Sequence, residues 1–255
     1  MASADPTASI IFFLIITLGY SIFKYFTKSS EMIKIWTIIY FLILIIVQFL
    51  INLGLSNEIC GSTQYSIALR QTVIPWVFIF GLINLLLMFF PNWLNPFSNT
   101  IGYFFAYVTG VNKFLKSILK DRKTLDLGPN KSELLTAINN VYDDKSLLIN
   151  SMTMPNLSIW WESMKKGGLL KDNVGEKEFI ELEGYVKLKT TISEFIWFAL
   201  TGVLVTSISY NGILNSGCTQ SAEEMQQRHD EYVANEEKIK QSQENKDQTI
   251  YKSYE

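Results

Sequence analysis

Four long apolar runs divide this chain: Ala8–Phe26, Ile35–Leu55, Val73–Phe90 and Ile192–Leu214. Each is 18 to 23 residues long, enough as a helix rising about 1.5 Å per residue to cross a hydrocarbon core of about 30 Å. Helices buried in a soluble core are shorter and keep a polar stripe, whereas these runs are apolar all round. The pattern therefore predicts an all-α, polytopic membrane protein with four transmembrane helices, near residues 8–27, 34–55, 72–90 and 191–214. The chain then divides into a three-helix membrane region (1–90), an interfacial segment (91–119), a helical soluble insert (120–190), the fourth span (191–214) and a polar, partly disordered tail (215–255).

The 91–119 segment is apolar only over Ile101–Val111, too short to span, and lysines follow at 113, 116 and 120. Pro91 and Pro96 end the third run and turn the chain along the surface. This predicts a helix lying at the membrane interface, with Trp93, Tyr103 and Tyr107 at headgroup level. In the insert, Gly128-Pro129-Asn130 reads as a turn. Ser132 caps a predicted helix, Glu133–Ile149, and Pro155 starts a second one, Asn156–Lys166, that ends at Gly167-Gly168. The second helix carries Trp160 and Trp161 beside Lys165 and Lys166. Those tryptophans fit two positions, as headgroup anchors or as the small core of the insert. From Gly175 a charged helix with pairs such as Glu183–Lys187 is expected to run unbroken into the fourth span. In the tail, Ala222, Met225, Tyr232 and Ile239 make a thin apolar stripe, and Gln241–Gln248 is polar enough to be disordered without a partner. Tyr251 and Tyr254 near the end are anchors for a partner or simply exposed.

Charge sets the orientation. Lys24, Lys28 and Lys34 flank the first connector, and Lys113, Lys116, Lys120, Arg122, Lys123, Lys187 and Lys189 bracket the insert. The leader has no Lys or Arg, and the 56–72 loop has only Arg70. In the tail five basic residues are outnumbered by nine acidic ones. The positive-inside rule places the first connector and the insert on the cytosolic face, and both termini on the other. The first run is expected to be a retained anchor: no basic residue precedes it, Asp5 lies in the leader, and no small-x-small cleavage site follows. Met1-Ala2 does not fit N-myristoylation. A net charge of −2 gives no reason to expect a nucleic-acid partner.

Catalytic chemistry has little to stand on. His229 is the one histidine, set among charged residues with no second ligand at metal spacing, and no phosphate loop, nucleophile elbow or zinc motif occurs. The expectation is a protein that is not an enzyme and carries no catalytic residue, cofactor or metal. Within the spans, Gln48 and Asn84 are placed to share an interhelical hydrogen bond worth roughly 0.6–2 kcal/mol. Cys60 and Cys218 fall on the same non-cytosolic face by the charge argument alone. An even cysteine count on an oxidising face predicts a disulfide, with Cα atoms within about 7 Å.

The run Thr201–Asn211, then Asn215-Ser216-Gly217-Cys218, Glu223-Glu224-Met225, His229-Asp230-Glu231-Tyr232 and Ile250-Tyr251 resembles the tails of uncharacterised membrane proteins of giant algal viruses, nucleocytoplasmic large DNA viruses of the phycodnavirus and mimivirus-like kind. The resemblance covers about the last 55 residues and brings no catalytic residues. It implies a structural component of a virion or viral internal membrane, or of host endomembrane, with lipid and other membrane or capsid proteins as partners through the tail. A homo-oligomer is compatible with it. An accessory subunit of a protist organellar complex and a channel or transporter component are the competing classes.

Overall fold

The computed structural model describes residues 6–121, 144–218 and 222–251. It is all-helical apart from one isolated antiparallel bridge between Leu119 and Leu170. Helix α1 is Thr7–Phe26 and α2 is Ser30–Cys60. Helix α3 joins Tyr65–Val73, Ile74–Gly81 and Leu82–Phe89, its middle part widened to π geometry around Pro75, which has no N–H to give the preceding turn. Helix α4 joins Asn95–Phe97, Ser98–Gly102 and Tyr103–Val108. The remainder are α5 (Val111–Ile118), α6 (Lys145–Ser151), α7 (Leu157–Lys166), α8 (Glu176–Leu214) and α9 (Ala222–Tyr251). Four helices, α1, α2, α3 and α8, are long and apolar enough to cross a membrane.

The spans lie where the apolar runs place them, but α2 and α3 extend beyond them. Helix α2 begins at Ser30, where Ser29 accepts the Met32 N–H as a cap, and continues to Cys60. Helix α3 starts at Tyr65 rather than at residue 72. Hydropathy marks only the part of a helix that lies in lipid; backbone hydrogen bonding carries the helix through the polar residues beyond.

Helices α1 and α2 form an antiparallel hairpin held by polar side chains. Ser9 donates to Gln48, Thr17 bonds Tyr40, and Tyr20 bonds Thr37, at 2.7, 3.0 and 2.7 Å. Steps of eight and three residues on one helix match the same steps, reversed, on the other, so these pairs define the register. Aromatic rings fill the space between the hairpin and the other spans. Tyr20 stacks on Tyr40 at 4.2 Å, and Phe13 contacts Trp76 and Phe80 at 5.5 and 5.9 Å. Each such pair adds about 0.5–1.5 kcal/mol beyond its buried area. Phe13 is fully buried against Gly202 of α8, where a Cβ would overlap its ring.

A second core lies outside the spans, shared by the end of the 91–119 segment and the insert. Helix α5 contributes Val111, Phe114, Leu115 and Ile118, one face at helical spacing. Against it pack Leu148, Ile149, Met152, Leu157, Trp161 and Leu170, together with Leu182 and Val186 from the first turns of α8. One alternative left open by the sequence is decided here, and one expectation is corrected. Trp161 is buried and meets Phe179 edge-on at 5.3 Å, and Trp160 is half-buried against the same cluster, so both belong to the insert core and not to the headgroup layer. Asp144 is extended and caps α6 by accepting the Ser146 N–H, so no single helix covers Glu133–Ile149. Hydrogen bonds from Ser146, first its side chain and then its backbone N–H, hold the Asp144 carboxyl below its ordinary range. Ser132, the predicted turn at 128–130 and residues 133–143 lie outside the described residues. The expected continuity of α8 through the charged stretch into the fourth span is observed, opening at Gly175, whose N–H donates to Glu178.

The tail differs from expectation. Residues 241–248 continue α9 as helix, and every residue of α9 whose exposure is described is exposed. Glutamate, glutamine and lysine are good helix formers, so local propensity alone carries the segment past the end of its apolar stripe. The side chains of Ala222 and Met225, and all of Tyr254, lie outside the described residues.

Two variants test this packing. Gly202→Ala should destabilise the bundle by about 1–3 kcal/mol because the Phe13 ring has no room to move, and Phe13→Leu in the same chain should recover part of the loss. Reversible unfolding in mixed detergent micelles reads both; additive losses would mean the two positions do not touch. Lys189 is buried, with its ammonium donating to the Ile149 carbonyl at 2.7 Å and no salt bridge among the described residues. Lys189→Met should therefore stabilise the insert by about 1–3 kcal/mol, since an apolar side chain of similar length avoids desolvating a charge. Hydrogen exchange of α5 and α6 amides would report the change.

Candidate functional site: the pinned root of the tail

At one end of the bundle, α2 stops at Cys60. Gly61 reverses the chain with φ of 65°, a conformation that favours glycine. At the same end α8 stops at Leu214, and four residues later comes Cys218. The two cysteines form a disulfide with Cα atoms 5.5 Å apart, closing a loop of 158 residues. Cys60 is buried. The expected bridge is thus present, and it joins the last turn of α2 to the start of the tail.

Polar side chains support the same end. Asn52 of α2 donates to Thr72 of α3 at 2.8 Å, and Gln71 donates to Ser216 at 3.4 Å. Gly212 faces the Gln71 amide so closely that any Cβ would overlap it. In a bilayer such groups have no water to turn to, so each pair fixes one helix against the next. Between α1, α2 and α8 a small open groove of about 220 Å³ is lined by Ser9, Asn52, Glu58, Thr206 and Tyr210. Ser209, buried close by, has a hydroxyl without a protein partner.

The predicted contact between Gln48 and Asn84 is not made. Gln48 accepts from the Ser9 hydroxyl and donates to the Ser9 carbonyl on α1, while Asn84 donates to Phe80 on its own helix, leaving its Oδ1 unpartnered. A serine in the first turn of α1 reaches Gln48 directly, and Asn84 turns back on a carbonyl four residues earlier in its own helix. Sequence reading missed Ser9, Thr37, Asn52 and Thr72. Each is a small polar residue within or near a span, and for the α1–α2 pairs the constant sum of partner numbers, 57 for 9 and 48, 17 and 40, and 20 and 37, was the available signal.

The opposite end is basic. Lys24 of α1 pairs with Glu194 of α8, and Lys187 donates to the Thr27 carbonyl at 2.8 Å. Of the predicted interface residues, Trp93 and Tyr107 are exposed, Trp93 stacking on Phe90 at 5.4 Å. Tyr103 is half-buried and bonds Asn112. No group of three or more His, Cys, Asp or Glu among the described residues is placed to hold a metal, and His229 stands exposed on α9. Compared with family models, with curated proteins and with solved structures, the chain matches none.

Single replacement of either cysteine should lower stability by the same amount, with the double variant no worse than either one. The chain-entropy model puts the ceiling at about 5 kcal/mol for so long a loop, and the bilayer, by already restraining the unfolded chain, reduces it. Thermal unfolding of Cys60→Ser, Cys218→Ser and the pair measures this; additive losses would show that the sulfurs act separately.

Proposed function

We propose that this chain is a structural membrane protein, neither an enzyme nor a channel, that ties a bilayer to a protein layer through its tail. The observation that carries the reading is α9: 30 residues of helix, exposed wherever described, rooted beside a disulfide that locks α2 to the end of α8. A lone charged helix with only Tyr232, Val233 and Ile239 as exposed apolar side chains in its middle gains little from its own packing. Its apolar stripe is of use when a partner covers it, and a fixed root lowers the entropy lost when it docks. The resemblance of the last 55 or so residues to giant algal virus proteins supports the partner class: capsid or other membrane proteins around a viral internal membrane. The distribution of lysines supports a tail on the non-cytosolic face, with the insert on the other.

Photo-crosslinkers at Tyr232 and Ile239, followed by mass spectrometry of purified particles, test this. Crosslinks to a capsid or membrane protein are expected, and Tyr232→Glu with Ile239→Glu should abolish them while leaving the unfolding of the bundle unchanged. Absence of the chain from particles would remove the viral assignment; a tail that crosslinks only to lipid would remove the scaffold reading.

A further inference from the structure

Helix α1 sets the level at which the membrane ends on the basic side of the bundle. Its 20 residues rise about 30 Å, the thickness of one hydrocarbon core. Its outward side is an apolar stripe of Ile11, Ile15, Leu18, Ile22 and Phe26, at helical steps of three or four and all exposed. The stripe reaches the last residue of the helix, so lipid contact extends to Phe26 and the headgroup layer begins beside Thr27.

Three lysines meet at that level. Lys24 lies in the last turn of α1 and Lys28 just beyond the helix. Lys187 reaches across from α8 to donate to the Thr27 carbonyl at 2.8 Å, with its ammonium 5.9 Å from the centre of the Tyr25 ring. Two carboxylates stand against them. Glu194 pairs with Lys24, whereas Glu183, four residues before Lys187, makes no salt bridge with it. Lys28 is exposed and has no carboxylate partner among the described residues. Burial pushes the Lys187 ammonium below its ordinary range; Glu183 opposes this, and Lys28 and Lys24 push it the same way as burial. The cations are therefore close enough to repel one another. Lys187 gives one of its three N–H groups to Thr27, which leaves two to donate elsewhere.

We propose that Lys28 and Lys187 form a binding site for the phosphate of an anionic phospholipid in the leaflet at the basic end of the bundle. Charge complementarity selects the occupant. A phosphate between the two ammoniums relieves their repulsion and supplies the negative charge that neither finds in the protein. Phospholipid phosphates lie at this depth, and basic pockets between spans are where anionic headgroups bind. A zwitterionic lipid brings the same phosphate together with a cation of its own, which the lysines repel. The site gives the protein a preference for bilayer rich in anionic lipid. The inference goes beyond the scaffold reading and does not depend on the tail.

The test uses the full-length protein in neutral detergent, equilibrated with equal amounts of phosphatidylglycerol and phosphatidylcholine, its retained lipids being identified by native mass spectrometry. A lysine near an anionic headgroup is worth roughly fivefold in affinity, so the native chain should hold phosphatidylglycerol in preference by at least that factor. Lys28→Gln with Lys187→Gln should bring the two lipids to parity, while the amide at 187 can still donate to Thr27. Lys28→Glu, at an exposed position where folding is not at stake, should do the same by reversing the charge. Lys113→Gln with Lys116→Gln, which removes two exposed lysines of α5, should leave the preference intact. Equal retention of both lipids by the native chain, or a preference that survives either change at Lys28, would overturn the proposal. So would its loss in the α5 variant, since a diffuse basic surface would then be responsible. Millimolar inorganic phosphate should not displace the bound lipid; displacement would assign the site to a soluble phosphate and remove the lipid.

Discussion

Everything described in this molecule except α9 is hung on one continuous helix. Helix α8 is 39 residues long, about 58 Å at the usual rise, roughly twice what the hydrocarbon core requires. Its second half is a membrane span; its first half projects from the membrane and supplies Leu182 and Val186 to the insert core. Because the helix does not break between them, the bundle and the insert have a fixed relation, and no hinge is available where Lys187 and Lys189 tie α8 to Thr27 and Ile149. Two glycine contacts let neighbours approach: α1 at Gly202, and α4 against it at Gly102. Small residues at such crossings do in lipid what hydrophobic exclusion does in water, since close packing is the main attraction left.

The two ends of α8 are finished differently. Near the insert, charges and apolar packing share the work, with Lys24 and Glu194 pairing at the edge of the span. At the far end, Gln71, Asn52 and the disulfide hold α2, α3 and α8 together. The bond adds nothing to the shape of the spans. It fixes Cys218, four residues beyond the end of α8, against the last turn of α2.

The spans, their order and the bridge between Cys60 and Cys218 were legible because they rest on composition over many residues and on the alternation of loops. The join at Gly175 was legible for a similar reason: a charged helix former on each turn, with nothing to stop it before the apolar run. Side-chain partners were not. Gln48 and Asn84 are both polar residues in adjacent spans, yet the rotation of each helix about its axis, which decides who faces whom, is set by the aromatic packing of Phe13, Tyr20, Tyr40 and Trp76. The tryptophan pair at 160–161 shows the same limit, since a Trp beside lysines suits a headgroup layer or a small core equally well, and Phe179, 18 residues on in the chain, decides for the core. Helix α4 was read as lying flat because its apolar run is short; the glycine that lets it stand against α8 looks like any other glycine in sequence.

The rigidity of α8 is the claim on which the rest stands. Spin labels at Glu176→Cys and Leu214→Cys, with the native disulfide intact and the protein in lipid nanodiscs, give the separation of its ends by pulsed electron–electron double resonance. A single unbroken helix predicts a narrow distribution centred near 57 Å, about 1.5 Å for each residue step. A broad distribution, or one centred well below that distance, would mean that α8 bends at the membrane surface, and the fixed relation of insert and bundle would fall with it.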